Sequence, residues 1–248
     1  MSTLVNGITN YVGEESGLGQ SYDLWRDCKI ETLENDYNRG YAFRDQFLTL
    51  PTGKYTATQA TAGTFALADL EGGVALADAG SSTQGQGINV QLNSTVGAAF
   101  FTQAAGKLWF EARVKVADIA TGPEFFCGLS AIDATVLASQ ANTSPNHIGF
   151  ESVTNNGVLL FHAEVAGTRT SSTATIHTLV DDEYVRLGFK VVDRVRIEVW
   201  VNGSKVDTLT AGCPLVGLVP TLVCQTGGDN DPIASLDWWD VAVERTAS

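Results

Sequence analysis

Val185-Arg186-Leu187-Gly188-Phe189-Lys190-Val191, then Asp193-Arg194, then Val195-Arg196-Ile197-Glu198-Val199-Trp200-Val201-Asn202-Gly203 is the stretch that decides the fold. Val185, Leu187, Phe189 and Val191 alternate with Arg186 and Lys190, and Val195, Ile197, Val199 and Val201 alternate with Arg196, Glu198 and Trp200. Successive side chains of a strand point to opposite faces, so a period of two predicts strands with one apolar and one polar face. Asp193-Arg194 predicts a tight turn, and Asn202-Gly203 predicts a two-residue hairpin because both residues tolerate positive φ. Ser204–Leu209 is the returning strand, which completes an antiparallel meander.

Outward from this meander the same pattern recurs. In Lys107–Val116, Phe110, Ala112, Val114 and Val116 alternate with Glu111, Arg113 and Lys115. Phe125–Ser130 reads as a buried strand, and His147–Ser152 and Val158–Val165 read as a pair joined through Thr154-Asn155-Asn156-Gly157. Further candidates are Ala42–Leu48, Tyr55–Ala60, Thr64–Leu67, Val74–Leu76, Ile88–Asn93, Val219–Thr226 and Ala234–Glu244. Roughly a dozen short strands with no crossover helices imply an all-β sandwich of two antiparallel sheets. Residues 41–248 are expected to form that domain.

Residues 1–40 lack strand alternation yet carry Leu4, Val5, Ile8, Tyr11, Val12, Leu18, Tyr22 and Trp25. A solvated tail has no need of so many apolar groups. They are expected to form an N-terminal arm with a short helix that docks on a neighbouring subunit or a larger assembly.

The motifs carry a resemblance. Lys107-Leu108-Trp109-Phe110-Glu111-Ala112-Arg113, Phe125-Phe126-Cys127-Gly128-Leu129-Ser130, Tyr184–Phe189, Val199-Trp200-Val201-Asn202-Gly203 and Leu236-Asp237-Trp238-Trp239-Asp240-Val241 follow one another as in the concanavalin A-like, or laminin G-like, jelly-roll superfamily. That resemblance implies a jelly-roll sandwich and covers a little over half the chain; the fold hosts lectins, glycanases, adhesion modules and viral proteins. Tyr41–Leu48, Gly72–Leu76 and Asp237-Trp238 with Val243-Glu244-Arg245 are also similar to the capsid decoration (cement) proteins of tailed phages. This second resemblance implies a non-enzymatic virion protein on the capsid exterior, made in the host cytoplasm, with the major capsid protein and its own copies, as dimer or trimer, for partners. The alternative is a lectin-like carbohydrate-binding module on a phage fibre or tail.

Composition narrows the classes. The formal net charge of −13 disfavours binding to nucleic acid and to anionic lipid. No apolar run reaches the ~20 residues of a membrane span, and the first residues lack signal-peptide character, so a cytoplasmic origin is expected. Cys28, Cys127, Cys213 and Cys224 show no zinc spacing and are expected to be reduced.

Candidate chemistry is sparse. Glycanases of this fold use paired carboxylates two residues apart on one strand, whereas the equivalent strand His147–Ser152 offers only Glu151. The chain is therefore expected not to be an enzyme, with no catalytic residues and no cofactor. Asp229-Asn230-Asp231 is a weak Ca²⁺ candidate that reads better as a turn before Pro232, so no metal is expected. His147, His162 and His177 read as half-buried strand residues. Trp109 and Trp200 fall on the polar phase of their strands and, with Trp25, are candidates for an interface or ligand contact unless an arm covers them.

Overall fold

The computed structural model describes residues 3–5, 8–10, 19–36, 38–60, 62–68, 70, 72–92, 106–119, 123–133, 144–152, 157–210, 212–228 and 231–245. Among them the chain forms two eight-stranded antiparallel sheets packed face to face, a concanavalin A-like jelly roll. In the first sheet the order is β16 (Ser204–Thr210), β15 (Arg196–Val201), β14 (Val185–Asp193), β8 (Leu108–Ala117), β18 (Ile233–Glu244), β6 (Ala75–Asp78) and β5 (Thr64–Leu67), with β3 (Gly40–Asp45) also pairing β18. In the second it is β12 (Thr168–Ser171), β11 (Val158–Val165), β10 (His147–Ser152), β9 (Glu124–Ser130), β17 (Val219–Gln225), β7 (Gly87–Leu92) and β4 (Tyr55–Gln59), with β13 (His177–Thr178) on β11. β1 (Thr3–Val5) and β2 (Ile8–Asn10) make a separate hairpin, and α1 (Tyr22–Trp25) and α2 (Ile30–Asn35) follow it.

The alternation read in the sequence sets which side chains meet between the sheets. Phe110, Ala112, Val114, Leu187, Phe189, Ile197, Val199 and Trp239 from the first sheet pack with Ile88, Phe125, Cys127, Phe150, Phe161 and Leu222 from the second. An aromatic chain crosses the gap: Phe110 stacks on Phe189 at 5.0 Å between ring centroids, Phe189 meets Phe161 at 5.4 Å, and Phe161 meets Phe150 at 5.1 Å. The Asn202-Gly203 hairpin takes φ of 48° and 80°, the left-handed values its sequence favours. Val195, expected on the apolar face, lies instead in the exposed turn before β15, which begins at Arg196. All four cysteines are free thiols, and among the described residues no helix is long and apolar enough to cross a membrane.

The outer face of the first sheet is covered by the chain itself. Leu24, Trp25 and Leu33 from the two short helices pack on Trp109 and Ala242, with Trp200 at the margin. Polar groups fasten this layer. Glu111, on the outward phase of β8, accepts bonds from the Ser21 amide at 2.9 Å, the Ser21 hydroxyl and the Trp25 indole N–H at 2.7 Å. Asp27 accepts from Lys107 at 2.7 Å and Lys190 at 2.6 Å, and Arg186 donates to the Gly19 carbonyl at 2.7 Å. The expectation of an arm docked on a neighbour or an assembly is thus corrected for residues 19–36. The outward Trp109 and the carboxylate of Glu111 supply an apolar floor and an acceptor within the same chain. Gly188 makes room for it, since a Cβ there would lie 2.6 Å from a Leu24 methyl.

Two outcomes follow from this layer. A Gly188→Val variant should lift Leu24, with a stability loss of about 1–3 kcal/mol from overpacking and faster amide exchange confined to residues 19–36, read by exchange mass spectrometry. Burial pushes the Glu111 carboxyl up to about 7, against the opposing effect of its three donors and Arg186. The folded protein therefore holds this proton more tightly than the unfolded chain. The resulting stabilisation is full below the unfolded value of about 4.5 and is lost as pH rises through about 7. Denaturant titrations of Glu111→Gln should show a shallower fall of stability between these limits, by up to about 1.4 kcal/mol per pH unit.

Candidate functional site

Each strand of the second sheet must also dispose of its other face. On β9 Phe125, Cys127 and Leu129 enter the core, so Glu124, Phe126, Gly128 and Ser130 point away from it. The same phase puts His147, Gly149 and Glu151 of β10 outward, with Leu160, His162 and Glu164 of β11 beside them. Asn89 and Gln91 of β7 and Thr221, Val223 and Gln225 of β17 continue the face. Register aligns these residues: Gln91 lies opposite Thr221, Thr221 opposite Gly128, Gly128 opposite Gly149, Gly149 opposite His162, and His162 opposite Ser171.

The two central glycines have a steric cause. Cβ atoms on Gly128 and Gly149 would come within 3.1 and 2.9 Å of the tip of the Phe126 ring, which lies across them and meets His147 edge-on at 5.5 Å. Phe126 therefore divides the face into two polar groups.

The first group surrounds Arg169. Its guanidinium Nη1 donates to Glu151 Oε2 and its Nε to Glu164 Oε2, both at 2.7 Å. His162 Nδ1 lies 2.7 Å from Ser171 Oγ. Its Nε2 is 3.3 Å from Glu151 Oε2 but lacks hydrogen-bond geometry. Burial, then the charge of Arg169, lowers His162 to about 3, so the ring is neutral. His147 Nδ1 sits 2.7 Å from the Ser144 carbonyl, which can only accept. The proton of the neutral ring is therefore on Nδ1, and Nε2 is a buried acceptor without a partner among the described residues. Burial also lowers the pKa of His147.

The second group lies beyond Phe126. Gln91 is fully engaged, donating to the Ala131 carbonyl and Thr221 Oγ1, both at 3.1 Å, and accepting from the Asp133 amide at 3.1 Å. Asn89 donates to the Asp133 carbonyl at 3.2 Å while its Oδ1 has no partner. Residues 131–133 thus cross over this end. Opposite one another on β17 and β9, Gln225 has neither amide atom bonded and Glu124 Oε2 is unpartnered among the described residues. Burial raises Glu124 to about 7, so near neutrality it is divided between acid and carboxylate.

Unpartnered buried polar atoms cost about 1–3 kcal/mol each, so their gathering on one face requires a physical reason. The set contains acceptors (Asn89 Oδ1, His147 Nε2) and groups that donate or do both (the Gln225 amide, protonated Glu124). Such a set matches a ligand rich in hydroxyl groups.

The residues singled out from sequence lie elsewhere. Trp25, Trp109 and Trp200 belong to the layer over the first sheet, where the arm covers them, and take no part in this face. Asp231 accepts from the Ser81 amide at 2.8 Å, whereas Asp229 and Asn230 lie outside the described residues. The argument from a lone Glu151 fails because neighbouring strands supply Glu124 and Glu164 to the same face. Only pairing across strands reveals them; the one local signal was the outward phase of Glu124 and His162 in otherwise apolar strands.

No family model matches the chain, and no curated protein matches it. Solved structures do. A protein of unknown function from Shewanella oneidensis MR-1 is 14% identical, with a TM-score of 0.59, over 85% of this chain and 89% of that one. The Bacillus licheniformis β-glucanase is 13% identical, with a TM-score of 0.55, over 83% and 98%. A β-1,3-1,4-glucanase (lichenase) from a mouse hindgut metagenome is 13% identical, with a TM-score of 0.56, over 82% and 98%. These findings correct two expectations. The virion reading has no counterpart in them, and the exclusion of enzymes falls because glycoside hydrolases recur among the structural neighbours. The chain has the concanavalin A-like jelly-roll fold.

Proposed function

We propose that the chain recognises a carbohydrate on the outer face of its second sheet. The observation that carries this reading is the set of buried, unpartnered atoms on Asn89, Glu124, His147, His162 and Gln225 around the Phe126 ring. Sugar hydroxyls both donate and accept, and their C–H faces pack on aromatic rings, so a saccharide satisfies this mixture as an anion or an apolar ligand does not. The net charge of −13 favours a neutral glycan. The shared fold with β-glucanases supports the same class of ligand. Because Asn89, His147, His162 and Gln225 are buried and Glu124 is half-buried, entry requires displacement of residues above them, including 131–133.

A second reading, glycoside hydrolysis, is favoured by one specific pair. Glu124, raised to about 7, and Glu151, bonded to Arg169, lie on the adjacent strands β9 and β10 and on the same face. Carboxyl groups whose surroundings favour different protonation states are what acid and base roles require.

Calorimetry against neutral oligosaccharides should give saturable binding, weakened about tenfold or more in His162→Ala, with the fold kept as judged by circular dichroism. Binding equal in wild type and His162→Ala would overturn the placement on this face. Where reducing ends are released, both Glu124→Gln and Glu151→Gln should abolish release. The wild-type rate should then fall as pH rises through about 7, where Glu124 loses its proton. A rate that persists in either variant would exclude the pair.

A further inference from the structure

We propose a second saccharide-binding groove on the opposite side of the sandwich, built on the outer face of the first sheet beside the arm. This inference rests on the reading of the chain as a glycan-recognising protein. The arm occupies Glu111 and Asp240, which lie opposite one another on β8 and β18. Two residues further along these strands Arg113 faces Trp238, and there the face opens into a cavity of about 580 Å³. That volume is within the range of small-ligand sites, about 300–1,000 Å³.

The groove is built from groups that are already positioned. β18 bulges between Leu236 and Trp238, so Asp237 is the extra residue and turns towards Arg113, whose guanidinium it holds at 2.5 Å. The Tyr184 ring covers that guanidinium at 3.9 Å from its centroid. Trp238 forms part of the buried lining, and the exposed Gln46 stands on the far wall. Gly72 lines the groove and is followed by Gly73, with φ of 90° and 80°. A Cβ on Gly73 would strike the Gln46 carbonyl oxygen at 2.5 Å, whereas one on Gly72 would meet nothing within 4 Å. The turn is therefore pressed tightly against the Gln46 backbone on one side and leaves open space on the other. Walls fixed in advance lose little entropy when a ligand binds.

The chemistry selects a neutral, hydroxylated ring. Arg113, which lines the groove, is matched by Asp237, and Lys115, 5.2 Å from the Tyr184 ring centroid, by Asp182, so among the described residues no unpaired cation invites an anion, and the net charge of −13 repels one. What the groove offers is a side-by-side donor and acceptor pair, an amide that does both, and two aromatic rings. Adjacent sugar hydroxyls pair with an Arg–Asp couple in this way, and the ring C–H groups rest on Tyr184 and Trp238. Two sites on opposite faces would let one protein hold two stretches of a polysaccharide, with a gain in avidity and no new contact.

Isotope-labelled full-length protein titrated with cellotetraose, laminaritetraose or mannotetraose to roughly 10 mM, enough to populate sites with Kd near 1 mM, reads both sites at once. At least one tetrasaccharide should shift the Gly72, Tyr184 and Asp237 amides and the Trp238 indole signal. In Tyr184→Leu and Asp237→Asn, each checked for an unchanged melting temperature, the affinity read at these signals should fall at least fivefold. Signals from Gly128, Gly149 and His162 report the other face independently. If they move while the groove signals stay fixed, the groove is overturned and the proposed function stands. If only the groove signals move, the groove stands and the first site fails. Fixed groove signals with all three sugars, or shifts unaltered in both variants, overturn the groove.

Discussion

A β-strand cannot present one face only, and this constraint governs the molecule. Packing two sheets disposes of their inner faces through Phe110, Phe189, Phe161, Phe150 and Trp239, leaving two outer faces to be dealt with. The chain treats them differently. Over the first sheet it lays residues 19–36, whose Leu24, Trp25 and Leu33 bury Trp109 and whose backbone and indole donors satisfy Glu111. Over the second sheet it buries polar side chains and leaves several of their atoms without partners. The first face is covered largely by groups of the chain itself, whereas the polar side chains of the second are buried with several atoms that have no partner among the described residues.

The difference also locates strain. A carboxylate buried with three donors, as at Glu111, is still pushed towards protonation because desolvation outweighs those bonds. Glu124 is displaced in the same direction, with burial as the cause. The two sides thus hold carboxyl groups displaced in the same direction in different settings: Glu111 fastens a covering layer, and Glu124 keeps an oxygen without a partner among the described residues.

Much of the fold was legible because strands announce themselves locally. His147–Ser152, Val158–Val165 and Thr64–Leu67 match their sequence ranges, and most other candidates differ by a residue or two at their ends. β12 escaped notice because Thr168-Arg169-Thr170-Ser171 lacks apolar alternation; it is an edge strand held by pairing with β11. The outward phase of Trp109 and Trp200 was equally visible, but what covers them was not, since α1 and α2 are too short to give a helical period. The candidate site was the least legible part. Its members lie on six strands, and the contacts of Glu151 with Arg169 and His162 arise only when β10, β11 and β12 take their register.

The position of β18 bears on how the protein is made. Residues 233–244 do not close an edge; they run through the middle of the first sheet, between β8 on one side and β6 and β3 on the other. On a ribosome adding ~5–20 residues per second, β3, β6 and β8 emerge first and must wait for the strand that joins them. Until then Trp25 and Trp109 have no finished surface to share. The nascent chain passes through an interval of seconds to tens of seconds with unpaired strand edges, the period in which it is most open to association with other chains.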